Sequence, residues 1–308
     1  MMDGMRIGHF SDFDSLTGCT VFLFDKKNRA IASVRGGAPG SRELNALSPG
    51  QLVENVDAVV FTGGSALGLR SMEGVVKYLQ ERGKGYQTQV TVIPMVAGAV
   101  IYDLEIGKCV APLPEWGYQA CVQANEHPEE GSVGAGTGAT VGKVAGMKWA
   151  MKSGFGTGDA VLHGGSIQSY VVTNALGDIY DPESGDILAG RRNPQGKIVG
   201  LLRETMTNHP PSSPLHTTLS LVVCDCFFLR EELQMLASVV HSALATCIRP
   251  YGTLYDGDVV FLVSTGEKRC HYFSVVQGIY RSIVEAVLRS ISLSRGYPDI
   301  PSRSDIMI

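Results

Sequence analysis

The chain has 308 residues, 44% of them hydrophobic, enough apolar side chain to build one large domain or two. A formal net charge of −4 and the absence of any basic run argue against a nucleic acid or an anionic membrane as partner and favour a small or neutral ligand. No apolar run reaches the roughly 18 residues of a membrane span, residues 1–10 lack a signal-like apolar core, and the seven scattered cysteines read as reduced, which places the protein in the cytoplasm as an expectation.

In chain order, residues 18–24 and 31–34 are strand candidates, and residues 25–28 between them read as a hairpin turn. Residues 35–43 carry too much Gly and Pro for either regular element and read as an ordered loop. Residues 56–61 make a third strand that ends at Thr62-Gly63-Gly64-Ser65. A helix follows, with Leu69, Met72, Val76 and Leu79 at helical spacing and Gly83 past its end. Gly63-Gly64-Ser65-Ala66-Leu67 approximates the nucleophile elbow G-x-S-x-G, which sets a serine on a sharp strand-to-helix turn. Leu67 stands where that motif needs its last glycine and would crowd the turn, so Ser65 reads first as an N-cap and second as a hydrolase nucleophile.

Residues 90–100 are apolar and β-branched and lead to Tyr102 and Asp103, and a short helix covers 117–125. Residues 131–143 form the densest glycine run. It fails as a phosphate loop, because Thr137 holds the first-glycine position and Val144 follows the lysine. Gly134, Gly136 and Ala139 fit a dinucleotide spacing, yet no strand precedes them. What remains is a tightly turning backbone that presents N–H groups, with Lys143 at its end; neither a metal nor a nucleotide cofactor is implied.

Residues 171–178 read as a strand running into a turn. Asn174 inside it is either a structural amide satisfied by neighbouring backbone or a donor aimed at a reacting carbonyl oxygen. Residues 190–215 form a long polar connection, with three prolines between 208 and 214. Thr217, Leu219, Leu221 and Val223 then alternate with Thr218, Ser220, Val222 and Cys224, the pattern of a buried strand that begins on a hydroxyl. Thr217 either simply starts that strand or is an N-terminal nucleophile. In the second case its hydroxyl attacks the His216 carbonyl, the ester hydrolyses, and the freed α-amine, with a reference pKa of about 8, serves as base.

A helix covers 230–248, a strand 259–263 and a long amphipathic helix 273–291, with a loosely held tail from 294. Asp256-Gly257-Asp258, at the mouth of the strand, is a turn or, if it approaches Thr217 and Lys143, a proton relay and amine anchor. Helices that precede, interrupt and follow many strands suggest stacked sheets covered by helices in a single domain, 1–308.

Six segments carry a resemblance: VRGGAPG at 34–40, TGGSA at 62–66, VGAGTGATVGK at 133–143, TNALGD at 173–178, HTTL at 216–219 and DGD at 256–258. In order and over nearly the whole chain they resemble the self-cleaving P1 (S58) peptidase family, which includes DmpA-type aminopeptidases and esterases, β-peptidyl aminopeptidases and nylon-oligomer hydrolases. The resemblance implies a four-layer α-β-β-α sandwich of the DmpA/ornithine-acetyltransferase type. It also implies self-cleavage into fragments 1–216 and 217–308 that stay together and assemble as tetramers of such pairs.

By the same resemblance Thr217 is the nucleophile, Asn174 the oxyanion donor and Tyr102 a neighbour of the oxyanion. Lys143, Asp256 and Asp258 are the groups that position and deprotonate the nucleophile. A threonine with an aspartate pair is closer to the nylon-oligomer branch than to the aminopeptidase branch, which uses a serine nucleophile with a serine and a glutamate. His216 departs from the asparagine usual before the nucleophile, and an imidazole there can accept a hydroxyl proton. The implied activity is a cofactor-free amidohydrolase acting on short peptides or on D-, β- or ω-amino-acid amides. The alternatives are an acyltransferase on the same architecture, a serine hydrolase through Ser65, and a processing-dead binding homologue.

Overall fold

The computed structural model describes residues 2–201 and 215–306, so the Pro-rich approach expected over 208–214 lies outside the described residues. Ten strands build the body. They are Met5–Asp12 (β1), Thr17–Phe24 (β2), Arg29–Arg35 (β3), Ser41–Arg42 (β4), Ala58–Thr62 (β5), Val96–Val100 (β6), Phe155–Leu162 (β7), Gly165–Asn174 (β8), Thr217–Cys224 (β9) and Asp258–Ser264 (β10). Two five-stranded sheets result, ordered β1-β2-β5-β6-β4 and β7-β8-β9-β10-β3. Both follow one pattern, antiparallel throughout except for the third pair, β5–β6 in one and β9–β10 in the other, which is parallel.

Strands covered on both faces read as continuous apolar runs, and β2 and β9 are buried at every position. Between the sheets lie Phe22, Phe61, Phe155, Tyr170, Leu219, Leu221 and Phe261, with Phe22 edge-on to Phe61 at 5.0 Å. Helices Ser71–Gln80 (α1) and Pro114–Gln123 (α2) cover the outer face of the first sheet. Helices Arg230–Cys247 (α3) and Tyr272–Ser292 (α4) cover the second. The expected α-β-β-α sandwich is the observed architecture.

Several expectations need correction. Residues 25–28 are not a hairpin, because β2 and β3 belong to different sheets. The Asn28 side chain steers that crossing: Nδ2 donates to the Val56 carbonyl at 2.9 Å and Oδ1 accepts the Val56 N–H at 3.0 Å, holding the chain where it leaves the first sheet. Only Val96–Val100 and the short Val92–Ile93 are extended within 90–100, with Pro94 between them. The tail beyond 294 is held: Tyr297 Oη donates to the Thr137 carbonyl at 3.1 Å, and Lys152 N–H donates to the Pro301 carbonyl at 2.9 Å. The cysteines are not all reduced, since Cys226 is bonded to Cys270.

β1 and β7 were not expected, because glycine and polar residues break their alternation. In β7 the glycines have a packing reason. A Cβ on Gly158 would stand 2.1 Å from the Ser282 carbonyl oxygen, and one on Gly156 2.1 Å from that of Ala286, so both let α4 lie directly on the strand. Gly158→Val should force α4 outward and destabilise the protein by about 1–3 kcal/mol, read as a lower denaturant midpoint at unchanged slope. An unchanged midpoint would contradict this packing.

Candidate active site

Strand register assembles the site. In the antiparallel β8–β9 pair Asn174 lies directly opposite Thr217. In the parallel β9–β10 pair Leu219 is level with Val259, and an isolated bridge continues that register back to His216 and Asp256. The pleat turns alternate residues to opposite faces, so Thr217 and Asn174 share the inter-sheet side with Leu219 and Val172. Thr173 faces α4 instead, where Oγ1 meets Ser290 Oγ at 2.8 Å.

Asn174 is fully buried. Its Nδ2 donates to the Tyr102 carbonyl at 3.1 Å. Oδ1 accepts the Thr140 N–H at 3.1 Å and Lys143 Nζ at 2.8 Å, and its backbone carbonyl accepts Lys143 Nζ at 2.9 Å. Thr140 and Lys143 both come from the glycine run, which explains that run: it brings a backbone donor and a buried amine to one amide. These contacts orient Asn174 with Nδ2 away from Lys143. An amide carries two N–H donors, and the hydrogen bond to Tyr102 uses one of them.

Two buried lysines stand near each other in sequence, and their acceptors distinguish them. Lys152 donates to the carbonyls of Gly136 (2.8 Å), Ala139 (3.0 Å) and Ser153. Burial lowers its pKa to about 7. Three acceptors oppose that, because only the ammonium has three N–H donors, and the geometry makes Lys152 a structural cation clasping the glycine run. Lys143 is also lowered to about 7 by burial, against the pull of Asp256, Glu105 and Asp103. It has two acceptors, both on Asn174, which a neutral amine satisfies while keeping its lone pair.

The carboxylates grip the backbone around Thr217. Asp258 accepts the Thr218 N–H at 2.5 Å and the Gly252 N–H at 3.1 Å, while burial and the neighbouring Asp256 push its carboxyl well above the usual range. Asp256 closes a turn by accepting Thr253 N–H at 2.8 Å and Thr253 Oγ1 at 2.5 Å. His216 is pinned on both sides: its N–H donates to the Tyr255 carbonyl at 3.0 Å, and its own carbonyl accepts the Gly257 N–H at 2.7 Å.

Tyr102 joins the cluster through its carbonyl, while burial and nearby Glu105 raise the pKa of its half-exposed phenol. Ser65 is not a side-chain cap, and its N–H donates to the Ile101 carbonyl at 2.9 Å. It follows Gly64 at φ 53° in a 3₁₀ turn without a capping bond. Leu67 points outward, 64% exposed, and the tight spot belongs to Gly68, whose Cβ would lie 1.8 Å from the Gly63 carbonyl oxygen. A cleft of about 1180 Å³ lined by Lys26, Arg29, Leu52, Lys84 and Phe227 contains none of the predicted site residues.

Sequence reasoning missed Asp103, Lys152 and Gly257. Buried Asp103 accepts the Gly64 N–H and the Thr17 hydroxyl, both at 2.7 Å, and burial raises its pKa to about 6. It fixes the backbone whose Tyr102 carbonyl orients Asn174. A charge directly after an apolar pair, Ile101-Tyr102 ahead of Asp103 and Ala150-Met151 ahead of Lys152, was the available signal for these two. A backbone N–H such as that of Gly257 leaves none.

The sequence profile described as peptidase family S58 matches residues 2–294. An uncharacterized aminopeptidase of Mycobacterium tuberculosis is 35% identical over 282 residues, spanning 85% of this chain and 80% of the relative. The 6-aminohexanoate-oligomer endohydrolase of Paenarthrobacter ureafaciens is 31% identical over 278 residues, spanning 86% of this chain and 74% of the relative. Among solved structures, the L-aminopeptidase D-Ala-esterase/amidase from Ochrobactrum anthropi, a variant of the Ntn hydrolase fold, superposes with a TM-score of 0.75 at 18% identity, covering 99% of this chain and 90% of the other. A β-aminopeptidase from Burkholderia sp. gives 0.71 at 18% identity, covering 99% and 91%. On this sequence evidence the chain belongs to peptidase family S58 and is an amide-bond hydrolase.

Proposed function

We propose that the enzyme cleaves itself between His216 and Thr217 and then hydrolyses short amine-bearing amides with Thr217 as its N-terminal nucleophile. The observation that carries this reading is the meeting of Thr217, Asn174 and Lys143 through strand register and one shared amide. In self-cleavage Thr217 Oγ1 attacks the His216 carbonyl carbon. The C–N bond breaks as an ester forms, the departing amine takes a proton, and water then hydrolyses the ester to leave a His216 carboxylate. The Gly257 N–H on the His216 carbonyl oxygen supports this step, because it is a donor already placed where negative charge develops.

In turnover the same hydroxyl attacks the substrate carbonyl, and the second Asn174 Nδ2–H receives the oxyanion. Neutral Lys143, both N–H groups held by Asn174, offers its lone pair to the hydroxyl proton. The acidic surroundings formed by Asp103, Glu105 and Asp256 suit a substrate with an ammonium near the scissile amide. The relatives' names, an aminopeptidase and an amino-acid-oligomer endohydrolase, agree with that class.

Intact mass of the purified protein should show two fragments, 1–216 and 217–308, and Thr217→Ala should give one chain without amidase activity. An active wild type of single mass, or an active Thr217→Ala, would overturn the reading. Lys143 is protonated below its pKa of about 7 and neutral above it, so kcat/KM should rise as pH increases through that value. Lys143→Met should lower kcat about 10²- to 10⁴-fold and remove that limb from the residual activity of the cleaved variant. A limb that survives unchanged in Lys143→Met removes Lys143 as base.

A further inference from the structure

The end of β9 opposite Thr217 runs into Cys224-Asp225-Cys226. One ligand atom from each of these three residues lies within 4.8 Å of the others. Cys270, just ahead of α4, joins them through its bond to Cys226, with Cα atoms 5.6 Å apart. Three sulfurs and a carboxylate therefore share one corner of the second sheet.

Gly165, the first residue of β8, lies against that corner. A Cβ built on it would fall 2.6 Å from Asp225 Oδ1, 2.6 Å from Cys226 Sγ and 2.8 Å from Cys270 Sγ. Only glycine fits there, because a Cβ would collide with all three atoms, and the carboxylate and both sulfurs therefore lie together directly against the β8 backbone. The carboxylate is aimed: Ser166 N–H donates to Oδ1 at 2.6 Å and Ser166 Oγ to Oδ2 at 2.8 Å, as supporting donors do for ligating carboxylates. Cys224 is set in place too, its carbonyl accepting the Thr265 N–H at 2.9 Å and its Sγ the Cys226 N–H at 3.4 Å.

We propose that this corner is a redox-gated site for a thiophilic divalent cation. When the Cys226–Cys270 disulfide is reduced, the thiolates of Cys224, Cys226 and Cys270 and the carboxylate of Asp225 bind one Zn²⁺, and re-forming the disulfide expels it. A tetrahedral sulfur-rich set with one oxygen suits Zn²⁺. A dithiol reductant passes two hydrogens to Cys226 and Cys270 and leaves as its own disulfide. Binding then releases three protons, one from each thiol; when Cys226 and Cys270 re-pair, a small-molecule disulfide takes their two electrons and two protons from solvent, and Cys224 regains one proton as the cation leaves. Burial raises the Cys224 thiol to about 12, and a coordinated cation reverses that by deprotonating it outright. None of the four residues belongs to the Thr217 cluster, so the site is separable from catalysis.

The test is a Co²⁺ titration of the full chain, reduced with a phosphine in metal-free buffer. About one Co²⁺ per chain should bind with a thiolate-to-metal charge-transfer band and tetrahedral d–d bands, and Zn²⁺ should bleach them. Protein with its disulfide intact should show neither band. Cys224→Ser and Cys270→Ser should each weaken Co²⁺ binding and lower the charge-transfer intensity per bound ion, and Ser166→Ala should weaken binding about 10- to 100-fold. Cys270→Ser, on a half-buried loop residue, tests the same site if Cys224→Ser fails to fold. Reduced protein without the bands, equal binding by unreduced protein, or wild-type affinity in either cysteine variant would overturn the proposal.

Discussion

The antiparallel pairing of Asn174 with Thr217 is the constraint on which the site depends. Strand side chains repeat every two residues, so a slip of one position would exchange the two faces of β9. Thr217 would then face the helices, and Leu219 and Leu221 would leave Phe61, Phe155 and Phe261. The cost of exposing that inter-sheet core forbids the slip. The same burial that stabilises the sandwich therefore holds a hydroxyl opposite an amide, and chemistry at the strand's end inherits its precision from packing along its length.

Around that pair, hydrogen-bond arithmetic sorts groups that a charge count would treat alike. Lys152 and Lys143 are both buried amines lowered to about 7. One faces three carbonyls and serves as a fixed cation beneath the glycine run; the other faces two acceptors on a single asparagine and keeps a lone pair. Asp103 belongs to the structural group. Its carboxylate ties Gly64 and Thr17 together, and the adjacent Tyr102 carbonyl fixes the amide of Asn174. The geometry of the candidate site is thus carried by backbone carbonyls and N–H groups as much as by side chains, as a pre-organised electrostatic site would require.

That division explains what was legible in the sequence. The apolar alternation of β9 and the helical spacing of α3 and α4 announce themselves, because burial on a fixed period writes side-chain chemistry into the chain. Lys143, Asn174 and Asp258 stood out as candidates because each is polar inside an apolar or glycine-rich setting, and their proposed roles came from the family resemblance. The Gly257 N–H and the Tyr102 carbonyl did not stand out, since every residue but proline carries such groups and only folding aims them. β7 escaped because its glycines are selected by the approach of α4, a long-range contact with no local trace. The reading of 25–28 as a hairpin failed similarly: a short polar turn between two strands looks the same whether they pair or part, and the Asn28 contacts to Val56 that decide it are distant in sequence.

The sheet order also bears on how a chain could be severed before Thr217 and stay whole. β9 and β10 form the centre of the second sheet, with β8 on one side and β3 on the other, and both flanking strands precede residue 216. Each downstream strand is hydrogen-bonded to an upstream one, and α3 and α4 clamp the sheet from outside. Loss of a single peptide bond leaves every one of those contacts in place, whereas separating the parts would require unzipping three strand pairs, β8–β9, β10–β3 and the short pairing of Asp178 and Ile179 with Arg249 and Ile248, and exposing two apolar layers. The Cys226–Cys270 bond contributes nothing to that union, since both its ends lie downstream of 217. Cohesion comes from strand interleaving together with side-chain bonds across the cut, among them Arg289 with Glu130 and Arg230 with the carbonyls of Ala46, Gln51 and Val53, so a new terminus at Thr217 would not loosen the fold.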